Sequence, residues 1–233
     1  MSTLIKVFIT LLIAIFFTSC NFNFQNGVTG NGNVINQQRE VNQSFDAIKA
    51  TEGINVFVAQ GAETSIKVEA DENIIDLIRT EVNNGALVID TKEQIGRVSA
   101  KKVYVTLPEI SELKSTSGGS ITSIGTINSA IISLDASSGS DIYVELQSKE
   151  VTVNTSSGAE IELYGVTNIL KAHASSGSDI KTEKLKAHLV EAHASSGADI
   201  DVNASDEIAI HKSSGGDVDY IGSPKRVEKV SID

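Results

Sequence analysis

The sequence predicts an all-β protein whose second half is a parallel β-helix with about 19–20 residues per turn. Three observations predict it. First, Ala-Ser-Ser-Gly followed by a small residue, an acid and an aliphatic recurs cleanly at 136–142, 174–180 and 194–200, with looser copies at 115–121, 155–161 and 212–218. Second, the copies keep a period: anchored on Gly118, Gly139, Gly158, Gly177, Gly197 and Gly215, they are 21, 19, 19, 20 and 18 residues apart. A fixed period of this size is the signature of a solenoid, in which each repeat buries its faces only against its neighbours. Third, tryptophan is absent, there are two prolines, and aromatics make up 5% of the chain. Serine, glycine, isoleucine and valine dominate the second half, which suits short strands closed by tight turns.

The elements follow in order. Lys6 precedes an apolar run from Val7 to Phe17 and then Thr18-Ser19-Cys20. A charged start, an apolar stretch too short for a comfortable bilayer span and a small-residue end read as an export signal over 1–19. The Thr-Ser-Cys ending resembles a bacterial lipoprotein signal, in which the cysteine becomes the lipidated first residue. Phe17 stands where that pattern usually has leucine. Cys20 is the one cysteine, so no intrachain disulfide forms. Residues 20–38, rich in Asn, Gln and Gly, read as lipidated Cys20 and a flexible tether.

From 39 to 114 the reading is β structure with one short inserted helix. Ile54, Val56 and Val58 alternate with polar positions, as do Ile66, Val68 and Ala70. Asp71 is placed as the cap of a helix to about Val82, because Ile74, Ile75, Leu77, Ile78 and Val82 fall at helical spacings. Asn83-Asn84-Gly85 ends that helix, and Leu87, Ile89, Val103, Val105 and Leu107 supply further strands.

Gly53-Ile54-Asn55, set within Phe45-Asp46-Ala47-Ile48 and Val56-Phe57-Val58, resembles the motif that names the head GIN domain family of auto-transporter adhesins. Leu107-Pro108 and the serine-rich glycine repeats match its layout, so the resemblance covers roughly residues 34 to 233. It implies a right-handed parallel β-helix on an exported lipoprotein, and it carries no catalytic residues.

The repeats over 115–233 are legible without it and pack with the preceding region as one body. Five positions before each glycine stand Leu113, Leu134, Val153, Ala172, Ala192 and Ile210, and three after it Ile121, Ile142, Ile161, Ile180, Ile200 and Val218. The apolar parity flips across Ser-Ser-Gly, as a strand, a corner and a second strand require. Glycine serves positive φ or close approach of the next turn. One serine per turn is expected to point inward.

Two columns bear on binding. Two positions after the glycines stand Ser120, Asp141, Glu160, Asp179, Asp199 and Asp217, an outward acidic ladder. Such a ladder invites Ca²⁺, but the Gly-Gly-x-Gly-x-Asp pattern is missing and a solubilising face accounts for it. Four positions before the glycines stand Lys114, Asp135, Asn154, His173, His193 and His211. The three histidines invite Zn²⁺ or Cu²⁺, while half the column is not ligand-like, so a solvent-facing polar stripe is the reading adopted and no metal or cofactor is assigned. His188 falls outside the column.

A formal charge of −11 excludes a nucleic-acid partner of the usual basic-patch kind. No Gly-x-Ser-x-Gly elbow appears, and many identical serines argue architecture over nucleophile. The sequence therefore reads as a non-enzymatic envelope protein, lipid-anchored and assigned to the outer membrane with its face undecided. It binds the membrane through its lipid and a glycan or protein through its solenoid. The alternative is a polysaccharide-acting enzyme on the same scaffold.

Overall fold

A computed structural model describes residues 27–232; the export signal and Cys20 lie outside the described residues. The described residues form one sheet of fifteen strands: β1 (Val34–Arg39), β2 (Ala47–Ala50), β3 (Asn55–Gln60), β4 (Ser65–Asp71), β5 (Ile78–Asn83), β6 (Ala86–Thr91), β7 (Lys101–Leu107), β8 (Glu112–Thr116), β9 (Ser120–Ser137), β10 (Asp141–Ser156), β11 (Glu160–Ser175), β12 (Asp179–Ser195), β13 (Asp199–Ser213), β14 (Asp217–Gly222) and β15 (Arg226–Ile232). From β8 onward every pairing is parallel, and β14 and β15 both pair with β13. About 70% of the described residues are strand, wound as a β-solenoid of about six turns in the C-terminal half.

Strands β9 to β13 are 15–18 residues long because each continues around a bend and so covers two sides of the coil. In β10 and β11 the register holds on both sides of the bend, Asp141 opposite Glu160 and Ser156 opposite Ser175. The bends carry a local clasp. Ser129 Oγ donates to the Ile131 carbonyl at 2.9 Å, Ser148 Oγ to that of Glu150 at 2.9 Å, and Thr167 Oγ1 to that of Ile169 at 3.1 Å. A hydroxyl bonded to a carbonyl two residues on satisfies a group that the bend takes out of the ladder.

The columns flanking each glycine form the core. Leu113, Leu134, Val153, Ala172, Ala192 and Ile210 are buried on one side, and Ile121, Ile142, Ile161, Ile180, Ile200 and Val218 on the other. Each buried Ile, Leu or Val contributes about 1.5–3 kcal/mol, realised only when the neighbouring coil is present.

At each corner two consecutive residues are left-handed. Ser138 has φ 57° and Gly139 φ 65°, and the same pair recurs at all six copies. A Cβ on any of the six glycines would meet nothing within 4 Å, so positive φ is the requirement and close approach is not. The corners are stitched vertically: the Gly118 N–H donates to the Ser138 carbonyl, Gly139 to Ser157 and Gly177 to Ser196, each at 3.1 Å.

The inward polar residue is neither member of the serine pair, contrary to expectation, because the left-handed step turns the second serine outward. The position after the glycine faces in. Ser140 and Ser178 are fully buried there; Ser140 Oγ donates to the Ser115 carbonyl at 2.8 Å, and Ser178 Oγ lies 2.9 Å from Thr155 Oγ1.

The N-terminal half departs from chain order. β2 lies between β6 and β8, and β3 between β7 and β9, so the coil written first (47–60) is enclosed by coils written later. Antiparallel β1 and β4 extend one side beyond β7, and antiparallel β5 extends the other beyond β6.

Two expectations are corrected here. The helix from Asp71 to Val82 is a single 3-10 turn, Ile75–Leu77, followed by strand β5. Ile78, Thr80 and Val82 obey a period of two that pairs them with Thr91, Ile89 and Leu87. Asn84 and Gly85, at φ 51° and 80°, are the two-residue hairpin turn between β5 and β6 rather than a helix stop. The tether over 20–38 does not hold for its second part, because Val34–Arg39 is strand β1, in register with Ile66–Asp71. The asparagines that suggested disorder make bonds: the Asn31 N–H donates to Asn73 Oδ1, and Asn33 Nδ2 to Glu72 Oε2, both at 2.9 Å.

Candidate binding faces

The Gly-Ile-Asn motif is the first corner of the solenoid. Glu52 and Gly53 have φ 58° and 66°, and the Gly53 N–H donates to the Ser117 carbonyl at 3.1 Å, placing this corner on the same column as the six repeats. Ile54 takes the buried position after glycine. Asn55 takes the acidic-ladder position and accepts from Ser120 Oγ at 2.8 Å. The shared left-handed pair and the glycine were the available signal, hidden because Thr-Glu replaces Ser-Ser.

From Asn55 the ladder runs in register through Ser120, Asp141, Glu160, Asp179, Asp199 and Asp217. Its charge is partly neutralised in place, with Lys181 paired to Glu160 and Lys212 to Asp217. Burial, then the charge of Glu160, pushes the Asp141 carboxyl above its ordinary value. Burial, then Asp141 and Glu160, pushes the Tyr143 phenol up to about 12. Asp201, in the next outward column, is raised by burial and then by Glu183, Asp219 and Asp199. The ladder is a half-exposed, lysine-laced surface.

The histidine column is also in register, His173 beside His193 and His193 beside His211. The rings stack with centroids 4.8 Å apart at 23° for the first pair and 4.2 Å apart at 5° for the second. Glu191, absent from the sequence reading, joins them, its Oε1 2.9 Å from His193 Nε2. The hydrogen bond to His193 holds the Glu191 carboxyl below its ordinary value. Burial, then repulsion from His193, lowers His173, which favours its neutral form.

A wide concavity lies along the bends, where neither column runs. It is a groove of about 990 Å³ crossing from β9 to β14. Its floor is a small-residue column, Ser129, Ser148, Thr167, Ala187 and Ala204, paired strand to strand. Asn128, Gln147, Val166, Asn168 and Lys186 rise beside it. Alignment on the glycines misses this column for a definite reason. Register shifts between Tyr143 and Glu145, between Glu162 and Tyr164, and between Thr182 and Lys186 make the count from glycine to bend vary from coil to coil.

His188 borders the groove with Asp206 Oδ2 at 2.7 Å and Ser205 Oγ at 3.3 Å. Both contact the same ring nitrogen, Nδ1, whereas a serine nucleophile needs its hydroxyl on the nitrogen opposite the carboxylate. Asp206 is also bound by Lys225 Nζ at 2.8 Å. The three side chains are together without forming a triad.

Stacked coils, one column of left-handed corners and long repetitive faces define a parallel β-solenoid. The family model described as "Putative auto-transporter adhesin, head GIN domain" matches residues 44–224, and the chain belongs to that family. Among solved structures, a "putative adhesin" from Bacteroides fragilis is similar at TM-score 0.80 and 19% identity, over 88% of this chain and 95% of that one. A "putative adhesin" from Parabacteroides merdae gives 0.70 and 16% over 88% and 95%. A "Putative lipid binding protein" from Parabacteroides distasonis gives 0.64 and 19% over 87% and 99%. At these identities the likeness is one of fold. No curated protein matches the chain.

Proposed function

We propose that this chain is a non-enzymatic, adhesin-like protein of the cell envelope, lipid-anchored in the outer membrane through Cys20, that binds an extended glycan along the bend groove. The observation that carries the reading is the groove itself. It crosses successive coils with a floor of small residues and walls of amides and hydroxyls joined by Lys149 and Lys186, and its one strongly apolar wall residue is Val166. Small floor residues let a ligand approach the backbone. Neutral hydrogen-bonding groups suit sugar hydroxyls, and ladder spacing repeats the same contacts about every 4.8 Å. The family's description as adhesins supports a cell-surface or envelope setting and a binding role. The polysaccharide-enzyme reading draws on His188, Ser205 and Asp206 beside the groove, and their shared contact at Nδ1 weighs against it.

A glycan array probed with the full-length chain in detergent tests the binding claim. Retention of at least one polysaccharide class is expected, with at least a tenfold loss in Ser148→Arg and Asn168→Trp. No retention on any glycan, or retention unchanged in both variants, rejects it. Anchoring has its own test: cells fed a labelled fatty acid are expected to label the wild-type chain and not Cys20→Ser, and equal labelling of the two rejects the anchor.

A further inference from the structure

We propose that Glu191, His193 and His211 form a surface site for a divalent transition-metal ion, with Zn²⁺ as its representative. One carboxylate oxygen and two imidazole nitrogens lie within 4.8 Å of one another, and among the described residues no other set of three ligand-type side chains converges in this way. The fold makes the convergence. Glu191 and His193 are two apart on β12 and so share its outward side, while His211 is the register partner of His193 on β13. Parallel strands stand about 4.8 Å apart, which brings the two rings face to face without any turn or loop.

The donor chemistry selects the ion. Two imidazoles and a carboxylate match zinc and its neighbours, while Ca²⁺ takes oxygen ligands. Bonds of about 2.0–2.2 Å to the metal require the three atoms to draw closer than they stand. The side chains of His193 and Glu191 are 36% and 47% exposed, which leaves room for rotamer adjustment, and the His193 and His211 rings turn out of their near-parallel stack so that both lone pairs meet the ion. The contact between Glu191 Oε1 and His193 Nε2 is where the ion enters, replacing the hydrogen that joins them. Lys171, the nearest cation on β11, is engaged at 2.6 Å with Glu150 and leaves the Glu191 carboxylate available. Three protein ligands leave a fourth position open to water or to a donor from a bound partner. The site lies on the face of the histidine column, not in the bend groove, and stands or falls independently of glycan binding.

The test uses the untagged full-length chain in detergent with Cys20→Ser, which removes a competing thiol. ZnCl₂ is titrated at pH 7.5 and followed by calorimetry and by the histidine ring NMR signals. One saturable ion per chain is expected, moving the His193 and His211 signals and leaving His188 unmoved. Affinity is expected to fall at least tenfold in His211→Gln and in Glu191→Gln, and CaCl₂ is expected to give no response. Absence of saturable binding, unchanged affinity in both variants, or shifts confined to His188 overturns the site. If a variant melts well below wild type, the ring signals of the unmutated histidines decide alone.

Discussion

Gly165→Ala is expected to destabilise the solenoid more than any single substitution at a corner glycine. Gly165 lies in β11 opposite Leu146, with φ 113°, and a Cβ there would sit 2.0 Å from the Leu146 carbonyl oxygen. Neither side of that clash yields cheaply, because the obstacle is ladder backbone and a residue with a side chain is disfavoured at that φ. Strain of about 1–3 kcal/mol adds to overpacking of about 1–3 kcal/mol, so a loss of roughly 3 kcal/mol or more is expected. The contrast is Gly177, whose φ of 62° also favours glycine but whose Cβ direction is open. Gly177→Ala meets only the left-handed penalty, about 1–2 kcal/mol, and Gly177→Val somewhat more because the branched side chain fits that conformation poorly. Urea unfolding followed by circular dichroism checks the order. A Gly165→Ala midpoint equal to wild type, or below-wild-type midpoints in which Gly177→Ala is the worse, removes the argument. The less repetitive glycine is the one under greater constraint.

Asp71→Ala is expected to release the N-terminal closure of the fold. Asp71 is fully buried at the end of β4, and its carboxylate accepts from the Gly32 N–H at 2.9 Å, from Ser99 at 2.9 Å and from Ala100 at 3.0 Å. Those donors belong to two separate segments, the strap before β1 and the loop between β6 and β7. One side chain therefore fastens both to the sheet. Burial works against the charge, and the N–H groups of Gly32, Ala100 and Ser99 outweigh it, so the carboxyl lies below its ordinary 3.8. Removing the acceptor strands three backbone donors, and a fall in Tm on the order of 10 °C is expected. Hydrogen exchange is expected to accelerate at Gly32, Ser99 and Ala100 and not at the corners of β10 to β13. Unchanged exchange at those three amides contradicts the role. The depressed value also sets a pH dependence. The contribution is fully present above the ordinary 3.8 and is lost as pH falls through the folded-state value, so acid weakens this clamp only below 3.8.

Much of the fold was legible because its repeat is written in residues that a corner cannot do without. Two left-handed steps in succession select glycine at the second, and the aliphatic columns beside it keep step because both neighbours of the glycine are counted over a few residues without a bulge. The Asn84-Gly85 hairpin was legible too, but Ile74, Ile75, Leu77 and Ile78 satisfied a helical count by coincidence and masked the two-residue alternation that followed. Asp71 looked like a helix cap because capping and clamping use the same carboxylate acceptor. Only the partners, about 30 and 40 residues away in sequence, distinguish them.

The candidate sites divide in the same way. The acidic and histidine columns could be counted from the glycine, but Glu191 enters only when the ladder sets His193 and His211 side by side and leaves an outward carboxylate two residues before one of them. The groove could not be counted along the whole stack, since bulges between corner and bend in the β9/β10, β11/β12 and β12/β13 pairs shift the register by different amounts.

By itself the sequence determined the all-β class, the period and the residues lining the corners, because steric limits on φ and the burial of apolar side chains act within a few residues. Tertiary structure alone decided that the coil of residues 47–60 sits between later ones, that Gly-Ile-Asn is its corner, and where the groove runs. Those depend on which strand edges find each other across the chain, and a β-strand edge carries no address beyond the partner that buries its face.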